Sequence, residues 1–118
     1  MRKSENNLPR YCVLAYRDQE KSLSETSVLA TVAVVLIDDA ERLKLYLHPK
    51  LAEVVLPADK AYIVELFNDF RERSQWDAEG LFEQLCDLSV GPLITERVGE
   101  SLRDDTSASQ MIADFKEI

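Results

Sequence analysis

The one histidine of the chain, His48, is the first residue whose chemistry could support catalysis. Histidine titrates near neutral pH without help from its surroundings and is therefore a common general base. That role also requires a carboxylate that orients the ring and a pocket that holds a substrate. The sequence indicates neither one. His48 alternates with Lys44 and Tyr46 along a predicted strand, so we expect all three side chains to face outward.

A pair of neighbouring carboxylates, Asp38 and Asp39, follows the most apolar segment of the chain. Two carboxylates can bind a hard cation or share a proton. Adjacent strand residues point to opposite faces, so these side chains converge only in a turn, where aspartate is common. A simple polar turn is the favoured interpretation. The alternative is that residues of two chains, such as Asp38, Tyr46 and His48, combine at an oligomer interface into a small-molecule-binding or hydrolytic site.

Three acidic residues, Glu79, Glu83 and Asp87, recur at four-residue spacing, and no lysine or arginine lies among residues 74–90. On an α-helix these three positions fall within about 80° of one another, nearly opposite the predicted apolar face. Like charges at this spacing destabilise a helix by a few tenths of a kcal/mol per pair. A solvated negative face explains the pattern. The sharper hypothesis is a contact surface that steers a basic partner into place, with these three residues as its partner-binding groups.

The single tryptophan, Trp76, lies between two predicted helices. Tryptophan is enriched at binding hot spots, where it supplies a large apolar contact area. It also commonly packs where two helices meet. For Trp76 we favour this second interpretation, a buried anchor between the helices.

Signatures of cofactor or metal chemistry are missing from the sequence. Its three glycines, Gly80, Gly91 and Gly99, form neither a phosphate-binding loop nor a nucleophile elbow. A single histidine excludes a histidine-rich metal site within one chain, and the spacing of Cys12 and Cys86 matches no zinc or thioredoxin-type motif. We therefore expect no cofactor and no metal, and we lean toward a protein that is not an enzyme.

The expected location is the cytoplasm. Cys12 and Cys86 lie in apolar surroundings and are interpreted as buried, reduced thiols, although the sequence leaves open whether they pair. The longest apolar run, residues 28–37, has half the length that a membrane-spanning helix needs. The basic N-terminal residues have no apolar region behind them, as a secretory signal would.

Charge is distributed unevenly along the 118 residues, which carry a net charge of −8. Residues 1–57 hold eight acidic and eight basic side chains, whereas residues 58–118 hold fourteen acidic and six basic ones. Such a chain repels the phosphates of nucleic acids, so direct binding to DNA or RNA is disfavoured. A basic protein partner is permitted.

Hydrophobic periodicity predicts a single α+β domain over residues 10–118, preceded by a mobile N-terminus of residues 1–9. The predicted order is βββααβα, a mainly antiparallel sheet of about four strands with three amphipathic helices. Residues 28–37 are apolar on both faces, which indicates a central strand covered on both sides. Residues 49–57 are left open between a short helix and an extended connection. The predicted strands cover residues 10–17, 28–37, 42–48 and 93–98, and the helices cover 58–73, a segment from Asp77 to the Gly91-Pro92 pair, and a segment from a capping box at Ser107 to Ile118.

The two apolar faces of residues 28–37 also bear on assembly. Three helices of modest length either cover both faces or leave one of them bare. A bare apolar face of that size usually marks an interface. We therefore expect a homodimer or another homo-oligomer.

Charge asymmetry, the acidic helix and the missing catalytic signatures point in one direction. The sequence predicts a non-enzymatic, acidic protein-interaction module, such as an adaptor, an inhibitor or an immunity-type binder. Its partner is expected to be a protein with a basic surface. The alternative is the small-molecule-binding or hydrolytic site at an oligomer interface.

Overall fold

The computed structural model of the protein describes residues 9–17 and 28–118. These residues form one antiparallel sheet with helices on both of its faces. The strands are β1 (Arg10–Arg17), β2 (Val28–Ile37), β3 (Leu43–Leu47), β4 (Ser89–Val90), β5 (Leu93–Gly99) and β6 (Lys116–Glu117). The helices are α1 (Leu51–Val54), α2 (Pro57–Arg73), α3 (Ala78–Leu85) and α4 (Thr106–Asp114), with a 3-10 turn at Leu102–Asp104. The strand order across the sheet is β4-β5-β1-β2-β3-β6.

The predicted α+β class with an antiparallel sheet is confirmed. The described residues form six strands rather than four, because two-residue strands, β4 and β6, extend the sheet at its two edges. Within residues 49–57, which the sequence left open, α1 forms a single helical turn. The prediction for residues 1–9 falls outside the described residues except at Pro9.

Helices α2 and α3 cover the first face of the sheet. The predicted apolar stripe of α2 is buried at Ile63, Phe67 and Phe70, and the two phenylalanine rings meet edge to face with centroids 5.3 Å apart. Pro57 occupies the first turn of α2, where its missing N–H has no helical acceptor. Each large apolar side chain buried here contributes about 1.5–3 kcal/mol relative to exposure. The first face is therefore the main core.

Strand β2 is central and buried on both faces, as predicted, but its alternation is broken at Val32. The pairing with β1 skips this residue, because Leu14 lies opposite Ala33 and Ala15 lies opposite Thr31. Val32 therefore packs on the first face together with Ala33, instead of on the second face. A β-bulge of this kind reverses the side-chain pattern from that point onward.

Helix α4 covers the second face, where Tyr11, Val13 and Val34 are buried against Ala108. Tyr46 packs there as well, so the prediction that Tyr46 faces outward is wrong: a helix from a distant part of the chain covers it. The bare face from which we inferred a homodimer is thus covered over the central strands. The oligomeric state stays a prediction.

A polar network holds α4 in this position. Asp105 accepts hydrogen bonds from the Arg97 guanidinium (2.8 and 3.1 Å), the Tyr11 hydroxyl (2.7 Å) and the backbone N–H of Ala108 (2.9 Å). Asp105 is therefore the N-cap of α4, two residues before Ser107, where the capping box was predicted. These donors, Arg97 first, hold the pKa of the Asp105 carboxyl well below its usual range.

Asp105→Asn tests how much this carboxylate stabilises the fold. Asparagine keeps an oxygen that can accept from Ala108 but loses the charge that pairs with Arg97. Because the folded-state pKa is lowered, the carboxylate's contribution is complete above the unfolded-state pKa of about 3.9 and is lost as the pH falls through the folded-state value. We expect the variant to be less stable by about 1–2 kcal/mol near neutral pH, where charge-assisted hydrogen bonds are intact.

The measurement is urea unfolding followed by circular dichroism at a series of pH values. The difference between the two proteins should shrink as the pH is lowered from about 4 toward 2. Asp104→Asn, at the exposed position directly before Asp105, is the matched control, and its free energy of unfolding should differ very little from that of the parent protein. A difference between Asp105→Asn and the parent protein that stays constant over the whole range would contradict the assignment.

Candidate functional site

The turn between α2 and α3 carries the most exposed large apolar side chain among the described residues, Trp76, whose surface is 74% accessible. The backbone N–H groups of Trp76 and Asp77 donate to the Arg73 carbonyl at 3.1 and 2.9 Å, which fixes the turn. On either side of it Phe70 and Leu81 are buried and supply the apolar packing. The prediction that Trp76 is a buried anchor is therefore wrong.

Helix α3 begins at the predicted cap but ends earlier than expected. Asp77 accepts a hydrogen bond from the backbone N–H of Gly80 at 3.1 Å, which confirms it as the N-cap. At the other end, the Thr95 hydroxyl donates to the Leu85 carbonyl and accepts from the Leu88 N–H, each at 2.7 Å. This side-chain cap ends α3 at Leu85, so Asp87 lies in the turn that follows the helix.

The three predicted partner-binding acids have different surroundings. Glu79 forms an ion pair with Arg10 of β1 at 3.0 Å, and the same guanidinium lies over the Phe82 ring, 5.2 Å from its centroid. Glu83 and Asp87 are exposed and have no ion-pair partner within the described residues. Glu79 thus ties α3 to the sheet, whereas Glu83 and Asp87 are left to face solvent.

Trp76, Glu83 and Asp87 together form what we call the Trp76 surface. Trp76 lies in the turn before α3, Glu83 lies on the helix and Asp87 lies in the turn after it, so the three residues span about 16 Å along the helix axis. The neighbouring Asp77 is paired with Arg73 at 3.4 Å. The free charge of the Trp76 surface is therefore negative, with an exposed indole at one end.

Asp38 serves the predicted polar turn between β2 and β3. Its carboxylate accepts the backbone N–H of Arg42 at 2.9 Å and pairs with the Arg42 side chain at 3.3 Å. The hydrogen bond from that backbone N–H is the main reason why the pKa of Asp38 is lowered. Asp38 is thus occupied in holding the hairpin.

Tyr46 and His48 do not meet Asp38 within one chain. Asp38 precedes β3 and His48 follows it, so the two are separated along the strand by about 15 Å. Burial beneath α4, followed by the nearby Glu117 carboxylate, raises the pKa of the Tyr46 phenol. The structure therefore does not assemble the alternative site from these three residues of a single chain.

His48 does, however, line a cleft with a volume of about 310 Å³ between the end of β3, α1, α2 and β6. Its Nδ1 accepts the backbone N–H of Lys50 at 3.0 Å, which places the proton of the neutral ring on Nε2. The ring lies 5.1 Å from that of Phe115, centroid to centroid. His48 is thus held in a defined orientation, partly buried rather than outward-facing as predicted.

Positive charge surrounds this cleft. Lys50, Lys60 and Lys116 line it, three of the six lysines in a chain of net charge −8. The apolar lining comes from Leu47, Pro49, Leu51, Ala52, Val64 and Ile118. None of these lining residues has a carboxylate side chain that could orient His48, so the cleft has the composition of an anion-binding site rather than of a general-base site. Sequence reasoning missed the lysines because three separate elements contribute them.

Metal binding finds no support in the described part of the chain, where no three histidine, cysteine or acidic side chains are placed to hold an ion. None of the helices at residues 28–118 is long and apolar enough to span a membrane. Comparison with protein-family models, with curated proteins and with solved structures found no match to this chain. No known protein therefore indicates a function for this chain, and the Trp76 surface and the His48 cleft are its candidate binding sites.

Trp76 is the only tryptophan, so its fluorescence reports on the Trp76 surface alone. We expect emission close to that of the urea-unfolded chain and nearly equal quenching by acrylamide in the folded and unfolded states. Caesium should quench the folded protein more strongly than iodide does, because Glu83 and Asp87 attract the cation and repel the anion.

Glu83→Lys/Asp87→Lys is the control for this electrostatic effect. It should reduce the difference between caesium and iodide without changing quenching by acrylamide, which is neutral. Blue-shifted emission that acrylamide hardly quenches would mean that the indole is buried and that the Trp76 surface does not exist in solution.

Proposed function

We propose that this protein is a non-enzymatic interaction module of the cytoplasm, an adaptor, an inhibitor or an immunity-type binder. It binds a basic protein partner through the Trp76 surface. The observation that carries the proposal is the exposed Trp76 just before α3, together with Glu83 on this helix and Asp87 just after it, whose carboxylates have no ion-pair partner within the described residues. Tryptophan is enriched at the hot spots of protein interfaces, where it is buried by the partner.

The indole supplies the apolar part of such an interface. Covering roughly 150 Å² of its surface would contribute about 4 kcal/mol at 25 cal/mol per Å². Part of this contribution is offset by the entropy lost on association. A single buried tryptophan is thus sufficient to anchor a partner of moderate affinity when the surrounding contacts exclude water.

Glu83 and Asp87 supply the electrostatic part. Complementary charges raise the association rate more than they raise the affinity, and salt screens them over about 10 Å at ordinary ionic strength. Glu79 is not part of this mechanism, because its charge is compensated by Arg10. The partner surface should therefore present lysine or arginine side chains around a pocket for the indole.

Affinity capture from the native host with matched variants tests this proposal. The test variant is Trp76→Ala with Glu83→Lys and Asp87→Lys. The control is Tyr62→Ala with Glu65→Lys and Asp69→Lys, which likewise removes one aromatic side chain and reverses two acidic charges, at exposed positions of α2. We expect the parent and control proteins to retain a basic partner that the test variant loses.

The captured partner then allows the two contributions to be separated by stopped-flow kinetics. Trp76→Ala alone should weaken binding about 30-fold, mainly through faster dissociation. Glu83→Lys/Asp87→Lys should slow association about tenfold at low salt and have little effect at high salt. Recovery of the same proteins with all three baits would rule out the Trp76 surface as the binding site.

A second candidate function is the binding of a small organic anion in the His48 cleft. The specific observation is that His48 and three lysines border an apolar floor in a strongly acidic protein. A volume of about 310 Å³ is at the small end of ligand sites. The cleft would therefore take a carboxylate or phosphate with a short apolar body.

Benzoate and benzamide make a matched pair of probes for this cleft, since they differ mainly in charge. In nitrogen–proton NMR titrations we expect benzoate, with a millimolar dissociation constant, to shift the amides of His48, Leu51 and Ile118, and benzamide to leave them unchanged. Lys60→Gln should weaken benzoate binding several-fold, whereas Lys44→Gln, outside the cleft, should not. Equal shifts with both probes, or none with either, would count against an anion site.

A further inference from the structure

The two cysteines, far apart in the sequence, lie together in the fold. Cys12 is on β1 and fully buried, and Cys86 directly follows α3 and is partly exposed. Both carry free thiols, and both pack in the core on the first face of the sheet, close enough to affect each other's ionisation. The prediction of two buried thiols therefore holds for Cys12 only.

The contact belongs to a repeated pattern between β1 and α3. Arg10 and Cys12 are two residues apart on β1, a spacing that places both side chains on the same face of the sheet. Phe82 and Cys86 are four residues apart, or one helical turn. The Arg10 guanidinium lies over the Phe82 ring. Two residues further along β1, Cys12 lies near Cys86, which is one helical turn after Phe82. The packing of β1 against α3 thus sets the position of the two sulfur atoms.

The two thiols have different chemical properties. Interaction with the Cys12 thiol, followed by the charge of Arg10, lowers the pKa of the Cys86 thiol, although burial and the charges of Glu83 and Glu79 oppose this effect. Interaction with Cys86, together with burial, raises the pKa of Cys12 far above its usual range. Cys86 is therefore the more readily ionised thiol of the two.

We propose that Cys86 and Cys12 form a redox modification site, in which a hydroperoxide oxidises Cys86 and Cys12 then closes an intramolecular disulfide. A partly exposed, readily ionised thiol close to a second, buried thiol is the arrangement found in redox-sensing cysteine pairs. The geometry supplies both members, the accessible one and the protected one. This site does not depend on the proposed protein partner.

The reaction balances with hydrogen peroxide as the only co-reactant. The Cys86 sulfur attacks one peroxide oxygen, the O–O bond breaks, and the other oxygen leaves as water after taking up a proton. The Cys12 sulfur then attacks the sulfenic sulfur of Cys86, so that the S–S bond forms and the S–O bond breaks. Hydroxide leaves with the thiol proton as a second water. Two thiols have lost two electrons and two protons, and the peroxide has been reduced to two waters.

Peptide mapping of the oxidised protein tests the proposal directly. The reduced chain is treated with one equivalent of hydrogen peroxide, alkylated with N-ethylmaleimide in denaturant and digested with trypsin without reductant. We expect the intact protein to lose two hydrogen atoms and to take up no alkylating reagent. We also expect the peptides 11–17 and 74–97 to be recovered as one disulfide-linked species.

Two variants assign the roles of the sulfur atoms. Cys12→Ala should stop at the sulfenic acid of Cys86, which dimedone traps. Cys86→Ala should consume peroxide at least ten times more slowly than the parent, because its remaining thiol is buried. Circular dichroism is used to check that each variant is folded. If a variant does not fold, peptide mapping of the parent protein alone decides whether Cys12 and Cys86 form the disulfide.

Three results would overturn the proposal. The first is recovery of covalent dimers linked through Cys86. The second is conversion of Cys86 to a sulfinic acid while Cys12 still takes up the alkylating reagent. The third is an equal yield of the dimedone adduct from the parent and from Cys12→Ala. Each of these would show that the two sulfur atoms do not react with each other.

Discussion

The fold depends on covering both apolar faces of the strand pair β1 and β2. Side chains on the two faces are fully buried, for example Leu14 on the first and Val13 on the second. A sheet of this kind cannot leave either face in water, because each uncovered apolar side chain would forfeit about 1.5–3 kcal/mol. Helices α2 and α3 therefore occupy one side of the sheet and α4 the other. The remaining features of the molecule follow from how these helices are attached.

Attachment of α4 on the second face contributes one side of the His48 cleft. Asp105 joins Arg97, Tyr11 and the first turn of α4, and the Tyr11 ring lies so close to Gly99 that this position has no space for a Cβ atom. With α4 fixed at its start, the chain beyond its end pairs with β3 as β6 and brings Lys116 to the cleft. One of the three lysines of the cleft therefore depends on how α4 is capped.

Local patterns in the sequence were sufficient to predict most elements, and tertiary contacts explain where they failed. The apolar spacing of α2 and the two-sided burial of β2 are properties of single segments, so periodicity identified both. The end of α3 depends on Thr95, a residue of β5 that no helical pattern includes. The meeting of Cys12 with Cys86 likewise depends on residues distant in sequence, which periodicity cannot pair.

Tertiary contacts also distinguish the acidic residues that stabilise the fold from those whose charge is available to a partner. Asp38, Glu79 and Asp105 each pair with an arginine and hold a turn, a helix or a cap. Glu83 and Asp87 lie on either side of Cys86, and neither has an ion-pair partner within residues 9–17 and 28–118. A disulfide at Cys86 would anchor the backbone between these two acids to β1. The proposed disulfide and two residues of the Trp76 surface therefore share one short segment of the chain, residues 83–87.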